Sequence, residues 1–465
     1  MRPVNFKLRA MFPKTVLCAL FLTLMSAGSA TAQSDGAQQN RTGRGGTFAI
    51  VGARVVTVSG GVIENGTVVI ADGKIAAVGA GAAVPAGAER IDGKGLSVFP
   101  GMIDAATGLG LAEIGQGANA TVDIAEVGTN NANAKAITGI NPHSSHVNVT
   151  RVNGITAVLS YPTGGTIAGQ AALIDLNGST QAEMAVVPAA ALVVNFPRIS
   201  RGGGRFGGGG AQTSFTELVK RRDQGIEDLK KIFTQAANHA RAVEAYASDK
   251  KLPAPRTDLA LEALRPYIRG ERPILFTAER EEDIRAVAKF VGEMKVKGIV
   301  VGGQEAWKAA DVLKANNIAV IYTNIYSLPV REDDPFDFLY AAPGKMKEAG
   351  IAFAISTGDQ GAEARDLPYH AGIAAAHGLS REDALRAVTL YPAQILGVAD
   401  RMGSLDPGKL ANVVVTDGDL LDPRTNVKFM FIAGRMIPLT SRHTDLFESF
   451  KDRKMPSGPA QDRRP

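Results

Sequence analysis

Apolar and polar positions fall into two textures along this chain. From Phe48 it runs as short β-like stretches, Ala49 to Val58, Thr67 to Ala71 and Lys74 to Val78, broken by Gly60-Gly61, Asn65-Gly66 and Asp72-Gly73. Those pairs tolerate the positive φ of tight turns, so the pattern predicts hairpins. The texture returns between Met402 and Leu439. In between, apolar runs at Thr156 to Tyr161, Ala190 to Phe196, Pro273 to Ala278, Gly298 to Val301, Ala319 to Thr323 and Ile351 to Thr357 alternate with helical periodicity, as in Glu281 to Met294 and Glu305 to Lys314. Strand then helix, repeated, predicts parallel strands joined by crossover helices. The longest helix is expected from Ser214, with Glu217 at capping-box spacing, to about Ala247. Another opens at Ser380 with Asp383 three residues on, and is expected to end before Pro392.

The ends change the meaning of the composition. Arg2, Lys7, Arg9 and Lys14 precede an apolar run from Val16 to Met25 and the small residues Ala30-Thr31-Ala32. That is the pattern of a secretory signal peptide over residues 1–32, which implies a periplasmic or secreted protein. Cys18 lies inside the apolar run after the bulky Leu17, which disfavours a lipoprotein cleavage site, and it is the chain's one cysteine. Cleavage after Ala32 leaves no thiol and no disulfide. It also leaves 47 basic against 46 acidic residues, so the basic character belongs mostly to the signal and gives no support for nucleic-acid binding. No later stretch approaches the roughly 20 continuous apolar residues of a membrane span. Residues 33–46, rich in Gly, Gln, Ser and Asn, read as a disordered leader, and residues 440–465 as a charged tail. Residues 201–210, R-G-G-G-R-F-G-G-G-G, read as a flexible insertion; the alternative is a lid over a barrel mouth, with Arg201 and Arg205 offering anion contacts.

Several motifs carry a resemblance. G-V-I-E-N-G from Gly61, F-P-G-M-I-D from Phe99, N-G-I-T-A-V from Asn153, A-L-R-A-V-T-L-Y-P-A-Q-I-L-G from Ala384 and G-S-L-D-P-G-K from Gly403 resemble the amidohydrolase superfamily, nearest its imidazolonepropionase-like branch. The resemblance implies a (β/α)8 TIM-type barrel over residues 100–400. It also implies a small β-sandwich built from residues 47–99 and 401–439. The activity implied is hydrolysis of a non-peptide C–N bond in a cyclic or linear amide. One departure in the closing motif is Asn412, where the family usually has Asp.

The family's chemistry requires a divalent metal, typically zinc, that lowers the pKa of a bound water and polarises a carbonyl. Its first-strand His-x-His falls here on Ala106 and Gly108. Where the family commonly has a histidine in V-H-A, this chain has Thr277. The strand ending Gly302-Gly303-Gln304-Glu305 brings none, and the chain has six histidines in all. His143 and His146 follow Asn141-Pro142, which predicts a turn rather than a chelating helix. His370 and His377, seven apart, stand about 10 Å apart along a helix, too far to share one ion. Hence no metal ligands and no cofactor are expected. Asp359, at the end of the last strand, is the expected catalytic group, with helix capping as the alternative; Thr277 and His370 are the expected substrate contacts. The expected ligand is a small amide-like molecule. Two readings stand: a hydrolase working without the usual metal, or an inactive binding subunit that forms a homo-oligomer or pairs with a related amidohydrolase.

Overall fold

The computed structural model describes residues 42–115, 119–199, 214–329 and 333–453. The expected signal peptide, the Gly-rich insertion at 201–210 and the end of the tail lie outside them, as does the leader up to residue 41. The leader's last residues are tied down. Gly43 N donates to Asn177 Oδ1 at 3.1 Å, and Arg44 bridges to Met436.

The two β-textured ends join as one hydrogen-bonded sheet. Strands β1 (Phe48–Val56), β2 (Val62–Ala71), β3 (Lys74–Gly79), β4 (Glu89–Asp92) and β5 (Ser97–Pro100) come from the front of the chain. Strand β5 lies between β1 and a strand from the far end, Val413–Thr416, with Val98 opposite Val415. Phe48, Ile50, Val68, Ile70, Val413 and Phe431 form this sheet's core. Asp72 and Gly73 both have positive φ and turn β2 into β3, as their sequence predicts. Asn65-Gly66, expected to be a turn, lies inside β2 instead, where the register against β1 shifts by a bulge.

Eight strands make the barrel: β6 (Met102–Thr107), β7 (Ile155–Ser160), β8 (Ile167–Asp175), β9 (Ala185–Val194), β10 (Ile274–Ala278), β11 (Gly298–Gly302), β12 (Ala319–Tyr322) and β13 (Phe353–Ile355). A parallel bridge between Thr107 and Gly358 brings the end of β13 back to β6. This is a TIM-type barrel with a separate β-sheet unit. Its interior is packed, with Ile103, Leu159, Leu173, Val193, Leu275 and Ile321 in one buried cluster. Each such side chain contributes about 1.5–3 kcal/mol by leaving water.

One expectation is corrected. Not every strand is parallel, because β8 pairs antiparallel with both β7 and β9. Only residues 161–166 separate β7 from β8, and they include Pro162, Gly164 and Gly165. That is too short for a crossover helix, so the chain turns back on itself. Helices are closer to expectation. Ser214 Oγ accepts from Glu217 N at 3.3 Å, and the helix runs Phe215–Ser248. Ser380 caps Arg381–Ala387. Pro392 does not follow a helix end but sits in the first turn of a second helix, Leu390–Ile395, where a missing N–H is tolerated. Among the described residues no helix is long and apolar enough to cross a membrane.

Candidate functional site

The barrel mouth is where the parallel strands end, and its wall begins at the P-G-M-I-D motif. Asp104 is fully buried, and it ties the first strand to the last. Its carboxylate accepts from the Ser356 hydroxyl, from Thr357 Oγ1 at 2.5 Å and from Thr357 N at 3.2 Å. Burial pushes its pKa up to about 6, with the Ser356 and Thr357 hydroxyls acting the other way. Past Asp104 the pairing with β7 is irregular, and both Ala105 and Ala106 enter the buried interior. Ser356 Oγ also accepts from Ala106 N at 2.8 Å and lies 2.9 Å from the Ala106 carbonyl oxygen.

Gly108 is held open for backbone. A Cβ there would stand 2.4 Å from the Asp359 carbonyl oxygen and 2.8 Å from Ile124 Cδ1. A Cβ on Gly361 would stand 2.8 Å from Leu109 Cα. The segment after β13 therefore lies directly on the end of β6.

The chemistry missed in the sequence is Glu279. Leu275 faces the barrel interior, and by strand alternation Thr277 and Glu279 share that face. The expected contact Thr277 is half-buried on the wall, and Glu279 is one pleat further, at the rim. Its carboxylate accepts from Asn324 Nδ2 at 2.9 Å and Gln304 N at 3.3 Å. Gln304 Nε2 donates to Asn324 Oδ1 at 3.1 Å, which fixes the amide that holds the acid. Gly302, at φ +109, leaves the notch that receives the carboxylate: a Cβ would stand 2.5 Å from Glu279 Oε1. Burial pushes the Glu279 pKa up to about 7, against the pull of Gln304 N, Asn324 and the Arg198 charge. A carboxylic acid poised near neutral pH can both give and take a proton. The signal in the sequence was its place, the second residue after Thr277 at a strand end.

Asp359 is exposed, immediately after the Gly358 that bridges to Thr107. Its charge reaches Tyr161, whose pKa burial raises first and the charges of Asp359, Asp104 and Glu279 raise further. His370 is buried in the helix Leu367–Ala376, and its ring lies 4.2 Å from that of Tyr326. Neither ring nitrogen makes a hydrogen bond of ordinary geometry. Burial lowers its pKa to about 4, with the Ser356 backbone acting the other way. His143 precedes the helix Ser145–Arg151 while His146 is inside it, and His377 packs on Tyr340. His239 binds the Arg256 carbonyl at 3.0 Å.

The residues present do not fit the metal that the fold's chemistry implies. Ala106 and Gly108 offer no donor, and backbone occupies the space beside Gly108. Among the described residues, no three His, Cys, Asp or Glu side chains gather closely enough to hold one ion.

Comparison with known proteins agrees with the fold. Residues 280–440 match the amidohydrolase family. An amidohydrolase from Thermotoga maritima is 25% identical, with a TM-score of 0.74 over 84% of this chain and 99% of that one. A molinate hydrolase is 18% identical over 85% of this chain and 95% of its own, with a TM-score of 0.51. A prolidase complexed with N-methylphosphonate-L-proline is 15% identical over 84% and 99%, also with a TM-score of 0.51. No curated protein sequence matches. The chain is thus similar to the amidohydrolase family over residues 280–440 and to a solved amidohydrolase in fold.

Proposed function

We propose that the barrel mouth binds a small amide-like molecule around Glu279, in a site that works without the superfamily's metal. The observation that supports this best is the seating of Glu279. It is held by Asn324 and Gln304 in the Gly302 notch, with a pKa near 7. In its protonated form it donates to an amide carbonyl; ionised, it accepts from an amide N–H. Hydrolysis of a non-peptide C–N bond then rests on proton transfer by Glu279, with Asp359 as the second acid at the mouth. Positioned acid–base groups contribute about 10²–10⁴-fold.

The second reading is binding without turnover, as a partner of a related amidohydrolase or in a homo-oligomer. It is favoured by the close approach of the Asp359 backbone to Gly108, which leaves no room there for a side chain. Both readings place the protein in the periplasm or outside the cell, on the strength of residues 1–32.

The test uses a set of linear and cyclic amides, with binding followed by calorimetry and cleavage by amine release, in the wild type and in Glu279→Gln. Loss of cleavage with binding retained supports the acid–base reading. Binding with no cleavage in the wild type supports the second, and the protein should then co-purify with a partner. Binding and cleavage both indifferent to Glu279→Gln would refute the assignment of the site.

A further inference from the structure

A cavity of about 840 Å³ opens at the opposite end of the barrel, where β10 to β13 begin. Its floor is apolar, formed by Ala190, Ile299, Phe353, Leu396 and Val398. Its rim carries cations. Arg272 stands just before β10 and Lys297 just before β11. The two strands are in register there, Ile274 opposite Gly298, and Ile274 N donates to the Lys297 carbonyl at 2.8 Å. Both cations line the one bowl, each at the start of one of two adjacent strands.

The nearby acids are engaged elsewhere. Glu271, also on the rim, faces Arg269 at 3.9 Å, and the rim's Lys347 is held by Asp383 at 2.6 Å and by the Tyr391 hydroxyl at 3.0 Å. Arg272 meets the neutral Tyr267 hydroxyl. Among the described residues, neither Arg272 nor Lys297 forms an ion pair with a carboxylate of this chain. Two neighbouring uncompensated cations repel one another, and an anion between them relieves that repulsion. An inorganic anion alone leaves the apolar floor wet. A cavity of this size with an apolar floor and a few polar groups is suited to a small organic ligand.

We propose that this cavity is a second binding site, for a small carboxylate with an apolar body, held by Arg272 and Lys297 over the floor around Ile299 and Phe353. It is independent of Glu279 and of the reading of the mouth.

The test titrates the full chain with 2-naphthoate and with its neutral amide, 2-naphthamide, by calorimetry. Naphthoate should bind once per chain, and Arg272→Gln or Lys297→Gln should each weaken it by about tenfold or more. Glu279→Gln should leave it unchanged. Both rim residues are exposed, so melting temperatures should stay at the wild-type value and show that the variants fold. Equal binding of the amide, naphthoate binding indifferent to both rim variants, or no naphthoate binding would overturn the proposal. Loss in Glu279→Gln would move the ligand to the mouth and overturn it as well.

Discussion

Asn412→Asp restores the residue usual in the closing motif, and the structure predicts that it damages this protein. Asn412 Nδ2 donates to Asp175 Oδ1 at 2.9 Å, and Asn412 Oδ1 accepts from Ala433 N at 2.7 Å. Asp175 and Asn412 are both buried. An aspartate at 412 keeps the second bond but sets two carboxylates face to face. Two full charges about 3 Å apart repel by about 5–6 kcal/mol at an effective dielectric of 20. Protonating Asp175 costs less. Burial already pushes its pKa up to about 6, so holding that proton at pH 8 costs about 2.7 kcal/mol. Protonation therefore wins, and the acid donates to its new neighbour. Desolvating the second carboxylate adds to this figure, which is a floor.

The pH dependence carries the signature. In the wild type, the folded pKa of Asp175 is raised from 3.8, so its contribution to stability is fully present below pH 3.8 and is lost as pH rises through 6. The variant keeps one more proton in the folded state, so above pH 6 its stability falls faster by about 1.4 kcal/mol per pH unit. Urea unfolding at pH 6, 7 and 8 measures this. A penalty flat across that range, or a variant as stable as the wild type at pH 8, would refute the reasoning.

Other consequences follow from the same geometry. Asp104 and Asp175, both buried and both raised to about 6, should make the fold more stable at pH 5 than at pH 8, by about 1.4 kcal/mol for each group; urea midpoints that rise with pH over this window would contradict it. Thr357→Val removes one hydroxyl from Asp104 and should cost about 1–3 kcal/mol, more at pH 8 than at pH 5, by the same assay. Gly302→Ala puts a methyl 2.5 Å from Glu279 Oε1 at a φ of +109, so it should displace the acid and weaken amide binding; unchanged binding in calorimetry would show that Glu279 is not seated as described. Ala106→His with Gly108→His should fail to create a zinc site and should lower the melting temperature, because the first Cβ at 108 meets the Asp359 backbone. A zinc-binding double variant as stable as the wild type would contradict that.

The frame was legible in the sequence because its signals are local. Asp72-Gly73 requires a turn, Ser214 with Glu217 caps a helix, and Glu281–Met294 has a helical period that the structure reproduces to the residue. The join of the two ends was legible only through the resemblance, since β5 and its distant partner strand share no local signal. Strand β8 was missed because I-A-G-Q-A-A-L-I-D is buried on both faces and so lacks alternation. At the mouth, the absent imidazoles could be read directly. Glu279 could not be: its significance comes from Asn324, Gln304 and Gly302, brought to it from the ends of other strands. Asp359 follows the last strand as an exposed residue, and its backbone oxygen occupies the space a Cβ on Gly108 would need.

The central claim is that the chemistry proposed for this mouth rests on the seated acid Glu279 and not on a bound metal. Metal analysis of the purified full chain, after dialysis against metal-free buffer, tests it most directly. The account predicts well under one divalent ion per chain. An ion at one per chain, released only by a strong chelator, would contradict it.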